Sequence, residues 1–551
     1  MPVTPTTVVT GDAVITADNG AFRQSGPGPQ TLIVLGDGNA LTASSGSAAD
    51  TLEAYGDLNV LRGGNGADIL NSYGEANTLI GGAGNGQLLY AAGNNSLLVG
   101  GTGRNQSLTA DGNDAVLIAQ GSGSTLLANG NNALLVAGLN GTHSLTVNGN
   151  DAELIGGAGA NTLTAFGNNN LLVVAGCDVY KIAGSAHSCG PTPIRTAAQY
   201  RQRADIVIDR QLADVPEIEM PEEPSGCGSH YSSGCGSYSV SYLMQWSARY
   251  QDYDFDRCSR NAPQQSLYLE GNDGILIGGG GGSNTITAMG NNNLLVAGDK
   301  GTQILTLDGN DGTMIGGGSH GVLTVNGNGA TMQAGDYGLQ ELTLNGNGGT
   351  MIGGGQHDIL VGNGNGNFLV AGASGVHFLT VNGNDNRLVG GGGTNLLTAN
   401  GNYDVIEAGW GTNYLLNTGF EGTYQVELGD GRTTIMNGME GNEAANTLEF
   451  MAGIDSDELW FRRQGDDLRI DVMGTRQSVT VDDWFAAAHH ELAEIRTADG
   501  GVLDNGEVDL LVQAMASFTA GNAGYDVSAS NHHQAPDDAG LQGVLAAVWQ
   551  A

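Results

Sequence analysis

The sequence predicts an all-β chain, a parallel β-roll or β-solenoid of 18–19-residue turns. A small Cys-containing insert of α+β or irregular structure interrupts it, and a small α+β C-terminal domain follows it. Three observations predict this. Glycines in blocks such as VNGNDAELIGG recur at positions 56, 74, 93, 112, 130, 149 and 167, then at 271, 290, 309, 327, 346, 364, 383 and 401, always 18 or 19 residues apart within each set. Four residues before every one of these marks stands Leu or Ile, and five after it stands Leu, Met or Ile. Between the two sets lies a stretch of different composition.

The two apolar rows are nine residues apart, so each turn divides into halves. A helix would need apolar spacings of three and four and would not tolerate this much glycine. Short strands that each point one large side chain inward, joined by Gly-rich corners, satisfy the spacing. Stacking the turns then pairs each backbone with the turn above and below. The residue after the mark is Asn in thirteen of fifteen turns, Asp57 and Glu75 being the exceptions. Stacked Asn predicts amide-to-amide hydrogen bonds along the column; Asn also suits a corner that needs positive φ.

In chain order, residues 1–50 read as an N-terminal cap or irregular first turns, and 51–176 as the first part of the solenoid. The insert occupies 177–265, because 104 residues separate Gly167 from Gly271 where one turn needs 18 or 19. The coil resumes in phase, which requires the ends of the insert to lie close together. The insert holds all five cysteines, Cys177, Cys189, Cys227, Cys235 and Cys258, and 8 of the 19 basic residues. Residues 192–215 read as a helix started by Thr192 and Pro193. Three readings of the cysteines stay open: two disulfides and a free thiol, metal-ligand spacing in His187-x-Cys189 and Cys227-x2-His230, or free thiols throughout. No GxSxG, P-loop or HExxH motif occurs. The spacing of Ser232, His230 and Asp252 supports no triad, and Cys235 with His230 is no better. No catalytic or cofactor-binding residue is assigned, and the reading leans away from an enzyme.

The second part of the solenoid spans 266–420, and the C-terminal domain 421–518. Alternation in LRIDVMGTRQSVTV predicts a hairpin, and 506–517 an amphipathic helix burying Val508, Leu511, Val512 and Met515. Such a domain blunts the open strand edges of a coil. Residues 519–551 read as a linker and a C-terminal tail, with His532–His533, like His489–His490, as solvated pairs.

Charge narrows the partners. Lys+Arg is 19 against Asp+Glu 57, a net charge of −38, which argues against nucleic acid and an anionic membrane. Charged residues are only 14% beside 40% hydrophobic, unlike a charge-rich disordered chain. No apolar run of about 18 residues predicts membrane insertion. The opening MPVTPTTVVTGDAVITADNG lacks the basic start and apolar run of a secretory signal. The protein is therefore expected either to stay inside or to leave by a route that does not read its N-terminus.

Outside the inward rows, twelve of fifteen turns carry Ile or Val six residues after the mark, including Ile118, Val136, Ile155, Val296, Ile315, Ile352, Val370 and Val389. Strand propensity accounts for such residues, yet a long apolar file also predicts an assembly face, covered by the insert or by another copy of the chain. Nine turns carry Thr three residues before the mark, from Thr109 to Thr398.

The half-turns resemble the nonapeptide GGxGxDxLx of the haemolysin-type calcium-binding (RTX) repeat family. GGNGADIL, with Asp68, matches it fully; GGAGANTL (156–163) and GGGGTNLL (390–397) carry Asn in place of Asp. The resemblance implies a parallel β-roll with calcium held in its corners by Asp carboxylates and main-chain carbonyls. The candidates are Asp68 and, in the GND corners, Asp114, Asp151, Asp273, Asp311 and Asp385; these five do not stand at the family's Asp position. Because most corner Asp residues are replaced, the expectation is a stack held mainly by Leu and Asn columns, with calcium at a minority of corners. The segment DDLRIDVMGTRQSVTVDDWF, with Asp483, Trp484 and Phe485, and the following EIRTADGGVLDNGEVDLLVQAMASF resemble a domain at the C-terminal end of many haemolysin-type secreted proteins. The last residues, GLQGVLAAVWQA, are similar to those proteins' tails. The resemblance implies type I secretion by an uncleaved C-terminal signal, with the secretion machinery as partner and an extracellular or cell-surface location. The expected role is a scaffold, adhesin or surface-assembly component. The alternatives are an enzyme or toxin-like effector active in the insert, a self-assembling filament or surface layer, and an ice-binding protein. The last rests on the outward Thr file, shared with ice-binding RTX adhesin domains, whose TGND motif is NGND or DGND here.

Overall fold

A computed structural model describes residues 6–138, 141–157, 159–174, 264–280, 282–354, 356–437 and 446–550. The five cysteines, the 192–215 helix and the His187 and His230 spacings lie outside the described residues. The chain forms two compact units, Met1–Leu307 and Asp308–Ala551.

In the first unit every winding has one long strand, such as Ser107–Asp111, and one short strand, such as Val116–Ile118. Long strands stack on long and short on short, parallel and in register: Leu108 lies beside Leu126, and Leu117 beside Leu135. Leu108, Leu117, Leu126 and Leu135 are all 0% exposed, so both apolar rows face the interior. Each winding sends three side chains inward on this side, not one: a polar residue six before the mark, the Leu or Ile, and an apolar or small residue two before it, such as Ala110, Ala128, Val147 or Leu269.

Regular winding begins before residue 50. Thr7–Val9 pairs with Ala21–Gln24, and Thr31–Leu35 with Thr51–Tyr55, with Leu32 and Leu41 fully buried. The step from Gly36 to Gly56 is 20 residues, which hides this winding from a period of 18 or 19. Across the insert the register holds: Leu163 lies beside Leu267 and Leu172 beside Leu276. The Asn161 N–H donates to the Gln265 side chain at 2.8 Å.

The second unit repeats the pattern, with Leu379 beside Leu397 and Leu388 beside Ile406. Both of its sheets then change from parallel to antiparallel. Ser478–Val481 pairs parallel with Arg432–Asn437 and antiparallel with Asp467–Val472, which turns back to Leu459–Gln464. Glu494–Arg496 pairs parallel with Thr447–Phe450 and antiparallel with Val502–Asp504. These hairpins occupy the edges a further winding would need. Helix α1 (Val508–Gly521) buries Val508, Leu511 and Met515, while Val512 is half-buried.

The segment 519–540, which composition reads as a linker, is largely exposed but anchored by an aromatic contact. Tyr525 lies 5.4 Å from Trp460 and 5.2 Å from Phe518, and His532 stacks on Tyr525 at 4.6 Å. His532 is thus half of an aromatic contact, not a solvated pair; a Gly- and Ser-rich string conceals one well-placed Tyr. Helix α2 (Ala539–Val548) starts at Asp538, whose carboxylate accepts from the N–H groups of Gly540 and Leu541, and it buries Leu541, Leu545 and Val548. Gln550 bridges to Val502 in both directions.

Leu126 has neighbours above and below in its row, so Leu126→Ala leaves a cavity the flanking windings cannot close. It should cost about 2–5 kcal/mol in denaturant unfolding, whereas Thr109→Ala, on the outer face, should cost far less.

Candidate functional site

The site that decides how these windings are held lies at their corners. The residue six before the mark is polar and buried at each of the first seven marks: Asp50, Asp68, Gln87, Gln106, Ser124, His143 and Asn161, each 0–2% exposed. It stands where the nonapeptide pattern has its Asp. Asp68 accepts from the Gly64 N–H through Oδ2 and from the Asp50 N–H through Oδ1. One winding on, Gln87 Oε1 takes the equivalent N–H, from Gly82, at 2.5 Å, while its Nε2 donates to the carbonyls of Gly64 and Gly66, both at 3.1 Å. The corners are glycine because the stack is tight. A Cβ at Gly101 would sit 1.7 Å from the Gly82 carbonyl oxygen.

A second buried column stands three residues after the mark. Asn170 and Asn293 each donate through Nδ2 to two corner carbonyls, Gly149 and Gly167 for one and Gly271 and Gly290 for the other. In the second unit Asp404 occupies this column. Its Oδ1 accepts from Asn386, and its Oδ2 is buried without a partner.

The exposed Asn column after the marks forms, with the expected amide-to-amide bonds at some windings, as in Asn328 to Asn310 at 3.2 Å and Asn347 to Asn328 at 3.1 Å, and a second bond beside them. Its carbonyl oxygens chiefly accept main-chain N–H groups from the next winding, as in Asn113 to Asn94 at 2.9 Å and Asn131 to Asn113 at 2.9 Å. The closer amide-to-amide ladder is one residue before the marks. Asn345, Asn363 and Asn382 donate to Asn326, Asn345 and Asn363, each at 2.8 Å. The sequence displays this second row in the NGN blocks, two residues before the more uniform Asn row.

The structure separates the six candidate calcium ligands. Asp68 is buried in the inner column. Asp114, Asp151, Asp273, Asp311 and Asp385 stand two residues after their marks with φ of 55–59°, in alignment with Asn95, Asn132 and Asn169. The left-handed corner favours Asp, Asn or Gly at that position, and Leu58, Ala76 and Tyr403 adopt it too, so a carboxylate there needs no ion to explain it. Among the described residues, no three His, Cys, Asp or Glu side chains converge on a metal position. In the Ile/Val file, Ile118, Val136, Ile155, Val296 and Ile315 are half-buried, while Ile352, Val370 and Val389 are only 7, 2 and 1% exposed. Among the described residues no helix is long and apolar enough to cross a membrane.

Three acids of the second unit are raised furthest. Burial pushes the Asp404 carboxyl up to about 6. Burial also raises Glu407 to about 7, against the pull of Arg387, which pairs with it. Burial, with the Glu407 and Glu427 charges, raises Asp430 to about 8. A carboxyl whose folded pKa is raised favours the folded state while protonated. That contribution is present at low pH and is lost as pH rises from about 4 through about 8. The thermal midpoint should fall between pH 5 and pH 8, and Asp430→Asn should flatten the upper part of the fall; a midpoint that rises across this range would contradict the assignment.

Residues 467–506 match the haemolysin-type calcium binding protein related domain. They comprise the hairpin Asp467–Val481, buried Trp484 and the strand pair 494–504. This domain, joined to parallel β-windings of 18 or 19 residues, fits an RTX-type repeat protein.

Proposed function

We propose that the protein is a secreted scaffold or adhesin whose windings present a repetitive outer surface at the cell exterior. One observation carries the adhesive part. On the outer face of the long strands in the second unit, Ile359, Phe378, Leu396 and Tyr414 stand side by side on four consecutive windings. Ile359, Phe378 and Tyr414 are 37, 45 and 40% exposed. Phe378, Leu396 and Tyr414, with Val376, His377, Thr394 and Met436, line a shallow, largely apolar depression. An exposed apolar file on a rigid sheet is a contact surface rather than a solubilising one.

Export is the second part. The related-domain match supports a type I route, because haemolysin-type proteins are typically secreted. Truncation after Asp537, which removes α2 and the Gln550 bridge, should leave the protein inside the cells that normally release it. Appearance of the truncated chain in the medium would overturn this route. For adhesion, the Phe378→Ser, Leu396→Ser, Tyr414→Ser triple variant should be released normally and keep its circular dichroism while losing retention on the cell surface. Unchanged retention would remove the adhesive reading and leave a plain scaffold.

A further inference from the structure

The corners of an RTX-type roll bring main-chain carbonyl oxygens together, and carbonyls converging in a buried place need a positive partner. Calcium supplies one only with six to eight oxygens at about 2.3–2.6 Å. In this chain the partner is already covalently present. Gln106 Nε2 donates to the Gly103 carbonyl at 3.1 Å, and Asn161 Nδ2 to Gly157 and Gly159 at 2.6 and 2.9 Å. Gln303 Nε2 donates to Gly282 and Lys300 at 2.7 and 2.5 Å, and Gln340 Nε2 to Tyr337 at 2.7 Å. Asn395 and Asn413 donate to Gly391 and Gly409 at 2.9 and 2.6 Å. All six side chains are 0–1% exposed. An ion at bonding distance from these oxygens would overlap the amide nitrogen. Removing the carboxylate also removes the anionic ligand that calcium prefers.

We infer that the inner amide column replaces calcium in this chain: Gln87, Gln106, Gln303 and Gln340 accept the corner N–H as an Asp would, and the Gln and Asn side chains alike fill the carbonyl cage with their own NH2, so these windings fold without the ion. The inference rests on the RTX-type reading of the repeat and narrows it. Carboxylates remain in this column at Asp358, which faces His377, and at the Asp50–Asp68 corner, which alone has them on successive windings, both already accepting main-chain N–H groups.

The test compares thermal unfolding of the full chain in EGTA and in millimolar calcium chloride. Wild type should unfold at the same temperature in both. Gln106→Glu exchanges the donor for a second acceptor against the Gly103 carbonyl; it should melt several degrees lower in EGTA and recover in calcium. If wild type is stabilised by calcium, the Asp50→Asn, Asp68→Asn variant decides. Loss of the calcium effect confines the ion to that corner and upholds the inference; persistence overturns it. Gln106→Glu indistinguishable from wild type in EGTA also overturns it. Should Gln106→Glu fail to fold in either buffer, the wild-type and Asp50→Asn, Asp68→Asn measurements carry the decision alone. The truncation after Asp537 reads export independently, so failure of either claim leaves the other standing.

Discussion

Parallel stacking in exact register forces identical atoms of successive windings to within one strand spacing of each other, about 4.8 Å. Along the strands this is favourable, because each N–H meets a carbonyl of the next winding and each Leu meets a Leu. At the corners it is costly, because the chain turns away from the ladder and its carbonyls and N–H groups must be satisfied by something else. Glycine at the mark follows from the same constraint. A Cβ at Gly93 would lie 2.0 Å from the Gly74 carbonyl oxygen, and one at Gly130 2.2 Å from that of Gly112. The two buried polar columns follow from it too. They are the means by which a thin interior, filled largely by Leu rows and Ala, tolerates buried corners.

The sequence discloses the parts of this design that repeat. The period, both Leu rows and the in-phase return after the insert are legible because each winding votes for them, and the C-terminal hairpin and helix are legible from their alternation. What stays hidden is carried by residues whose identity varies while their role does not. Gln87, Gln106, Ser124, His143 and Asn161 share a column but no single residue type, so only geometry aligns them. The windings before residue 50 are hidden by a 20-residue step, although Leu32 and Leu41 keep both rows. The packing of 519–540 depends on Tyr525 meeting Trp460, a contact between residues far apart in sequence.

The corner Asp residues show how one residue type can mislead. Asp is the obvious calcium ligand, and the GND corners look like sites. Yet their φ near +57° is a demand that Asn and Gly meet equally well on neighbouring windings. Asp68, by contrast, is placed by its carboxylate, which accepts two main-chain N–H groups in the interior. Position relative to the stack, not residue type, separates the two classes.

Uniform columns create a problem that the variable ones solve. If every winding were identical, sliding the stack by one whole winding would keep every Leu on a Leu and every Asn on an Asn, and nothing would oppose the slip. Departures from the repeat break that degeneracy. In the second unit Asp358 and His377 occupy the inner column on successive windings, wholly buried, with Oδ2 and Nδ1 2.8 Å apart. Asp358 Oδ1 and His377 Nε2 find no other partner, so the pair is a poor source of stability compared with two amides. Its value is that a slipped winding would set Asp358 against Asn395 or His377 against Gln340, burying one charged or titratable group without the other. Arg387 beside Glu407 and the Tyr55–Tyr73 stack, with ring centroids 4.7 Å apart, mark other windings in the same way. The amide columns hold any winding to any other; these unlike pairs decide which winding it is.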